Sequence, residues 1–305
     1  MWYAVRMVFR FGESDARWID LEHPTADEVR EVADELGFGG RIVEELLSPT
    51  PFPRVLHEEE TLLLVLHFPA ERTVQEVDFV VGKHFVLTVR YEVVAPIHEL
   101  RKMLETNALT HFREPVAVEA LLELLFNHLF MNIRDYATSA GKRLERIERD
   151  MFTDKEGVTI QAISEISRVF LHLEAAVANH EAPLELFLHE LEEHAFFNDA
   201  FTTRVNRILA EHAQTLHLIE ALRAVATEIR ETNAGLLNAR QNEIMKVLTI
   251  MAFVTFPLSL IASILGMNTD YLPIVGLPHD FWIIMGIMFS FTICFFIFFR
   301  IKHWI

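Results

Sequence analysis

Hydrophobic and polar positions follow different patterns along the 305-residue chain. Up to about residue 115, β-branched and apolar runs predict strands: TLLLVLHFPA at 61–70 and VDFVVGKHFVLTVRY at 77–91, the second a hairpin that turns at Gly82-Lys83. Helical spacing predicts two short helices, ADEVREVADELGF (26–38) and APIHELRKMLE (95–105), the first ending at Gly37. Because the pattern from about Val116 onward is almost wholly helical, we expect a mixed α/β region followed by helices.

A much longer helical pattern begins at Phe201. Apolar residues recur there at steps of three and four, and no proline occurs between Pro183 and Pro257. Gly235 weakens the pattern by only about 1 kcal/mol relative to alanine. The sequence therefore predicts one helix from Phe201 to Leu265, about 97 Å long at 1.5 Å per residue.

Two uncharged stretches predict membrane spans. Residues 247–269 hold 23 consecutive uncharged residues, and residues 281–299 hold 19. Each is long enough to cross a hydrocarbon core of about 30 Å as a helix. The alternative, a pair of buried core helices, is disfavoured because uninterrupted runs of this length are rare in soluble proteins.

Charges around the spans predict their orientation. Arg240 and Lys246 precede the first span, Arg300 and Lys302 follow the second, and the loop between the spans has neither Lys nor Arg. The positive-inside rule places both termini in the cytoplasm, and the amino-terminal sequence lacks the pattern of a secretory signal. The predicted organisation is a cytoplasmic α/β and helical domain (1–199), a stalk helix (200–246), a first span (247–269), an external loop (270–280), a second span (281–299) and a basic tail (300–305).

Polar residues in the first span predict a pore lining. Polar groups at membrane depth are tolerated mainly against protein or a water-filled path. Helix packing is an equally weighted alternative for the Thr and Ser residues alone. Two helices cannot enclose a pore, so conduction requires several copies around one axis. Steps of three to five place the following residues near one stripe: Asn242, Met245, Leu248, Ala252, Phe256, Ser259, Ser263 and Asn268.

Charge separates the chain into two parts and narrows the function. Hydrophobic residues make up 51% and charged residues 23%. Residues 242–305 hold three basic and three acidic residues, so all of the net charge of -17 lies in residues 1–241. This acidic part argues against a nucleic-acid partner and favours cations. Glu231, eleven residues before Asn242 and on a similar helix face, is a candidate inner acidic ring; the alternative is an exposed stalk acid.

Other candidate sites are weak. HELEEH (189–194) lacks the second histidine of a zincin motif, and Glu58-Glu59-Glu60 is interpreted as a solvated turn. The single cysteine, Cys294, lies in an apolar run and excludes an internal disulfide. No catalytic constellation or resident cofactor is indicated, so we do not expect an enzyme.

The carboxyl-terminal motifs resemble those of the CorA family of magnesium transport proteins. The resemblance lies in Gly266-Met267-Asn268 at the outer end of the first span, preceded by NEIMKVLTI (242–250) and FPLSLIA (256–262). It implies an α+β cytoplasmic domain of α/β/α type, a long stalk helix continuing into a two-helix membrane domain, and a funnel-shaped homopentamer in the lipid bilayer. Thr269 follows the motif where the family usually has an aromatic residue, and Asp270 alone remains as an external-loop acid.

The resemblance also implies roles for individual residues. Asn268 would form a ring that holds a hydrated cation, with Gly266 and Met267 shaping the helix end. Met245 and Leu248 would close the pore, between polar rings of Asn242 and Ser259. Phe256 stands where the family often has a smaller residue. The regulatory metal ligands cannot be placed.

Three functions remain open. The first is gated transport of divalent cations, chiefly Mg²⁺ with Co²⁺ and Ni²⁺ as further candidates, closed by intracellular divalent cations. The second is a ZntB-like zinc carrier, with or without coupling to protons. The fifteen histidines of the chain would be candidate zinc ligands for this function. The third is a membrane-tethered sensor that conducts nothing.

Overall fold

The computed structural model describes residues 7–13, 16–70, 73–106, 117–152, 156–193, 197, 200–267, 276 and 278–302. The chain divides into two compact units, residues 1–230 and 231–305. The first unit contains a sheet and most of the helices, and the second contains the two long apolar helices.

The first unit is organised around a six-stranded mixed sheet. Its strand order is β1-β2-β6-β5-β4-β3, in which β2 and β6 are parallel and all other neighbours antiparallel. The parallel pair joins strands that are distant in sequence and thereby connects the β1-β2 hairpin to the other four strands. The strands are β1 (Met7–Glu13), β2 (Ala16–Glu22), β3 (Arg54–Glu58), β4 (Thr61–Pro69), β5 (Val74–Gly82) and β6 (Phe85–Arg90).

The hairpin expected near Gly82-Lys83 is confirmed. Gly82 pairs with Phe85 across β5 and β6, and Lys83 and His84 form the turn. A Cβ atom at position 82 would lie 2.5 Å from a ring carbon of Phe85. Glycine is required there because the Phe85 ring occupies the space of a side chain.

Eight helices are described. Both predicted short helices are confirmed, and α1 has a complete capping box between Thr25 and Glu28 and ends at Gly37 with φ 74°. The helices are α1 (Ala26–Leu36), α2 (Gly40–Glu45), α3 (Ala95–Glu105), α4 (Val118–Met151), α5 (Glu156–Ala178), α6 (Glu181–Glu193), α7 (Phe201–Leu265) and α8 (Asp280–Ile301).

Alternating side chains of the sheet are buried under helices on both faces. On one face, Val29 and Ile42 of α1 and α2 share a core with strand residues such as Val80. On the other face, Phe79 of β5 stacks on Phe126 of α4, with ring centroids 5.0 Å apart. Helices α5 and α6 also pack against β4. These three layers confirm the expected α/β/α type.

A buried ionic network ties β2 and β6 to α3. Asp20 and Arg90 are fully buried and joined by charge-assisted hydrogen bonds, the shortest 2.8 Å from Arg90 Nη2 to Asp20 Oδ2. Thr88 donates to Asp20 Oδ1 over 2.8 Å, Arg101 donates to Oδ2 over 3.2 Å, and Glu22 accepts from Arg90 over 2.6 Å. Two carboxylates meet two guanidinium groups, so the charges balance without water.

A second polar cluster lies on the α1 and α2 face. Glu76 accepts from the Thr50 N–H over 2.7 Å and lies 3.3 Å from His67 Nε2, which raises the pKa of His67. Burial, reinforced by the nearby Glu76, raises the pKa of Asp78 well above its ordinary value. Tyr91 donates to Asp78 Oδ2 over 3.0 Å. Protons on Asp78 and His67 therefore stabilise the fold at low pH, and that stabilisation is lost as pH rises through each raised pKa.

His180 has the opposite dependence on pH. Its Nε2 donates to the His67 carbonyl oxygen over 2.9 Å, and its ring packs against Phe68 and His212. Burial disfavours the charged imidazole and lowers the pKa of His180 to about 4. The unfolded chain binds this proton near pH 6.5, so stability is complete above that pH. It falls as pH decreases toward 4, by up to about 1.4 kcal/mol per pH unit.

Replacing His180 by phenylalanine is expected to reduce this acid sensitivity. Between pH 7.5 and 5, the apparent Tm of the full chain in detergent should fall less for His180→Phe than for the wild type, measured by tryptophan fluorescence. His189→Gln is the control, because His189 is exposed and pairs only with Glu193 among the described residues. Equal slopes for His180→Phe and wild type would contradict this assignment.

The 65-residue helix α7 has the predicted bounds. Within the first unit it forms ion pairs with α4 and α5, including Arg134 with Glu211 at 2.5 Å and Arg223 with Glu174 at 2.5 Å. Several of its apolar side chains there are buried, among them Ile208 and Ile219. These contacts fix the amino-terminal half of α7 to the first unit.

Candidate ion-conduction site

The second unit contains the carboxyl-terminal half of α7 and all of α8. Both helices are long and apolar enough to cross a membrane, and none of the most apolar 18-residue stretch in either helix is buried. Large side chains such as Phe256 (72% exposed) and Trp282 (71% exposed) are bare in the single chain. Apolar surface of this extent requires lipid or further protein. This agrees with the two predicted spans, although α8 starts one residue earlier and ends two residues later than expected.

Seven of the eight residues of the predicted stripe, all except Asn268, lie on the continuous helix α7. Asn242, Met245, Leu248, Phe256 and Ser259 are all exposed residues of α7. At 100° per residue they fall within an arc of about 120°. The structure therefore places these five candidates on one face, available to other copies of the chain.

Two threonine hydroxyls of the first span are satisfied within the helix. Thr249 Oγ1 donates to the Met245 carbonyl over 2.7 Å, and Thr255 Oγ1 donates to the Met251 carbonyl over 2.8 Å. Bonds of this kind remove the need for a polar partner at membrane depth. Both threonines are thus compatible with lipid or helix packing, whereas Ser259 lies exposed on the stripe.

Pro257 interrupts the hydrogen-bond ladder within α7. Proline has no N–H to donate to the carbonyl four residues earlier, which belongs to Phe253. The helix nevertheless continues to Leu265. A free backbone acceptor therefore lies inside the first span.

The helix ends at the predicted selectivity motif. The Gly266 N–H donates to the Ala262 carbonyl over 3.0 Å, and the Met267 N–H donates to the Ile264 carbonyl over 3.2 Å. A Cβ atom at Gly266 would lie 3.1 Å from the Ala262 oxygen, which is crowded. Asn268 and Asp270 lie outside the described residues.

Two carboxylates flank the spans. Glu231 is exposed on α7, and the 100° spacing places it on the arc of Asn242. Asp280 is the first residue of α8, and its carboxylate accepts the N–H groups of Phe281 over 2.7 Å and Gly276 over 3.2 Å. The role of Glu231 as an acidic ring stays a prediction.

The described residues contain no group of three or more His, Cys, Asp or Glu side chains able to hold a metal ion. His189 is exposed beside Glu193, as expected for a solvated helix face. Glu59 and Glu60 form an exposed turn, but Glu58 is half-buried and accepts the Ile42 N–H over 3.1 Å. The interpretation of Glu58 as merely solvated is wrong, because its carboxylate caps α2.

The fold and the carboxyl-terminal pair of apolar helices define a membrane transport protein. Residues 13–302 match the model of the family described as "CorA-like Mg2+ transporter protein", and the chain belongs to that family. It is therefore a cytoplasmic-membrane protein with two carboxyl-terminal spans and a cytoplasmic domain, and it is a transporter, not an enzyme. The family expected from the motifs is confirmed.

Individual relatives agree over nearly the whole chain. The cobalt/magnesium transport protein CorA of Methanocaldococcus jannaschii is 24% identical over 301 residues, covering 94% of this chain and 91% of that protein. The complete structure of the CorA magnesium transporter from the same organism has a TM-score of 0.84 at 19% identity, covering 98% of both chains. The ZntB cytoplasmic domain from Vibrio parahaemolyticus has a TM-score of 0.56 at 13% identity, covering 74% of this chain and 90% of that one.

Proposed function

We propose that this chain transports divalent metal cations, chiefly Mg²⁺, across the cytoplasmic membrane as a homopentamer. The observation that carries the proposal is the exposed stripe on α7, which leads without a break to Gly266-Met267. Relatives named as magnesium and cobalt transporters support divalent cations as the substrate class. In this proposal residues 247–269 form the pore span and 281–299 face lipid.

Selection of the ion takes place at the outer end of the first span. Mg²⁺ holds its octahedral water shell tightly. A ring of Asn268 amide oxygens can accept hydrogen bonds from that water, so the ion is recognised without losing its shell. Gly266 allows the close helix end on which this ring depends, because a side chain there would crowd the Ala262 carbonyl.

Closure takes place at two apolar positions. Met245 and Leu248 are 56% and 55% exposed in the single chain and lie on the stripe between Asn242 and Ser259. Apolar rings of this kind close a pore by excluding water, with no large movement. Phe256 extends the apolar lining toward the middle of the span.

Leu248→Asn is expected to weaken this closure. A polar amide holds water in the constriction, so Mg²⁺ leak into liposomes preloaded with millimolar internal Mg²⁺ should rise by roughly tenfold, equivalent to about 1.4 kcal/mol. Ile283→Asn on α8 is the matched control, since it introduces the same amide on the helix assigned to lipid. Unchanged leak in Leu248→Asn would remove this residue from the gate.

The acidic cytoplasmic domain allows intracellular divalent cations to close the pore. Five copies of a chain with net charge -17 amount to -85. Divalent cations bound between cytoplasmic domains would relieve that repulsion and favour the closed form. The internal cation thus acts as substrate and as regulator, with Glu231 concentrating cations at the inner mouth.

The principal alternative is zinc transport coupled to protons. The ZntB likeness supports a shared fold and nothing more specific, and neither predicted span contains a histidine. The family match and the magnesium transporters among the relatives favour Mg²⁺.

Flux into liposomes tests these functions. The full chain is reconstituted, and uptake of Mg²⁺ and Zn²⁺ is followed with and without a pH gradient. We expect Mg²⁺ uptake driven by the membrane potential and independent of the gradient. Zinc uptake that requires the proton gradient, with no Mg²⁺ uptake, would establish the alternative. Absence of flux for both ions would indicate a non-conducting sensor.

A further inference from the structure

A groove in the first unit is lined partly by basic side chains, although the chain as a whole has a negative net charge. Its volume is about 890 Å³, and its walls come from the end of β4, the loop before β3, and helices α4 and α5. None of the described residues assigned to ion transport lines it. A cavity of this size accommodates a small organic ligand.

One wall of the groove is basic. Arg143 of α4 and Arg168 and His172 of α5 line it, and all three are exposed. Among the described residues, no carboxylate forms an ion pair with either arginine, whereas Arg134 and Arg223 in the same unit each have one. The only acid among the described lining residues is Glu165. Arg168 Nε donates to the Ser164 carbonyl over 3.4 Å, which leaves the positive charge of its guanidinium unbalanced. Two guanidinium groups without a carboxylate partner among the described residues favour an anionic ligand, because guanidinium matches phosphate in geometry and charge.

A buried histidine also borders the groove. His67 also lines the groove. Its Nε2 is engaged by the Thr50 carbonyl at 2.8 Å and by Glu76 at 3.3 Å, while its buried Nδ1 has no hydrogen-bond partner in the described part of the chain. Because this nitrogen is buried, it offers no contact to a ligand, and the polar surface of the groove comes from other side chains. Asn179 and the Tyr136 hydroxyl provide additional polar groups on the same walls.

Another part of the groove lining is apolar and aromatic. Phe52 is 74% exposed and lies between Pro51 and Pro53, and Val74 beside them is 53% exposed. A flat ring can stack on Phe52. Inorganic phosphate would leave this wall in contact with water and would fill little of the cavity.

We propose that this groove binds a nucleotide, with its phosphates on Arg143 and Arg168 and its base on Phe52. The base supplies the flat apolar surface and the phosphates supply the charge, so both walls are used. The proposal is independent of the transport function, since it concerns a ligand held entirely within residues 51–179.

Equilibrium binding to the full chain in detergent tests the proposal. The probe is ATP in EDTA, so that no divalent cation reaches the transport path, with titration calorimetry as the readout. We expect saturable binding of ATP, weaker binding of inorganic triphosphate and no binding of adenosine. Arg143→Gln and Arg168→Gln should each weaken ATP binding by about tenfold, the effect of losing one charge-assisted hydrogen bond.

Two further variants separate the walls. Phe52→Ala should weaken ATP binding and leave triphosphate binding unchanged. Arg149→Gln is the matched control, because Arg149 is an exposed arginine of α4 that does not line the groove. No saturable ATP binding by a protein that retains wild-type size in gel filtration would overturn the proposal. Equal ATP affinity in Arg149→Gln, Arg143→Gln and Arg168→Gln would overturn it as well.

Discussion

Asn268→Ala is expected to reduce Mg²⁺ flux through reconstituted protein by at least about a hundredfold. Each hydrogen bond from water polarised by the cation to an amide oxygen is worth about 1.5 kcal/mol or more. Alanine removes this oxygen from every copy around the axis at once. Loss of only two such contacts corresponds to about 3 kcal/mol, or about a hundredfold in occupancy.

The control for Asn268→Ala is Asn206→Ala, an exposed asparagine on the same helix α7 but in the first unit. Uptake of Mg²⁺ into dye-loaded liposomes is compared at equal protein content, after gel filtration has established that both variants assemble like the wild type. Retention of more than about half the wild-type flux by Asn268→Ala would contradict the assigned ion ring. It would leave the transport function itself in place.

The second large effect is expected for Asp20→Ala. Removal of this carboxylate leaves Arg90, which is fully buried, with Glu22 as its only remaining carboxylate partner among the described residues, and frees the Thr88 hydroxyl. Breaking a buried ion pair from one side typically costs about 3–5 kcal/mol, because a desolvated charge is left uncompensated. We expect a loss of that order in the free energy of unfolding and a low yield of assembled protein.

Urea unfolding of the full chain in detergent, followed by tryptophan fluorescence, measures this loss. Asp27→Ala is the control, because the Asp27 side chain is 96% exposed and its pairing with Arg30 is at the surface. Asp20→Asn keeps the shape and part of the hydrogen bonding, so its loss should fall between the two. A loss below about 1 kcal/mol in the free energy of unfolding of Asp20→Ala would mean that the charge of Arg90 does not need Asp20 for its compensation.

Local periodicity predicted the parts of the fold in which each residue depends on its near neighbours. The bounds of α3 and α7, the Gly37 helix end and the hairpin at Gly82 all follow from patterns within a few residues. The Asp20–Arg90 pair could not be predicted in this way, because it joins positions 70 residues apart through the register of two parallel strands. An acid inside the apolar run of β2 is the one local signal of it.

The candidate sites also differ in whether local sequence spacing or long-range packing brings their residues together. The stripe from Asn242 to Ser259 lies on a single helix, so a count of residues per turn was enough to align it. The groove combines Phe52, Arg143 and Arg168 from three separate segments, and only tertiary packing brings them to one cavity. The proposed ring of Asn268 would depend on neighbouring copies, which neither periodicity nor a single chain supplies.

The pairing of β2 with β6 also sets an order of events during biosynthesis. The sheet is incomplete until Arg90 has left the ribosome, because β6 joins the β1-β2 pair to the other three strands. The first span begins at residue 247, so well over a hundred further residues are translated before it emerges. At about 5–20 residues per second the sheet has roughly 8–30 s to fold. We therefore expect the sheet to be formed before its own chain is delivered to the membrane insertion machinery.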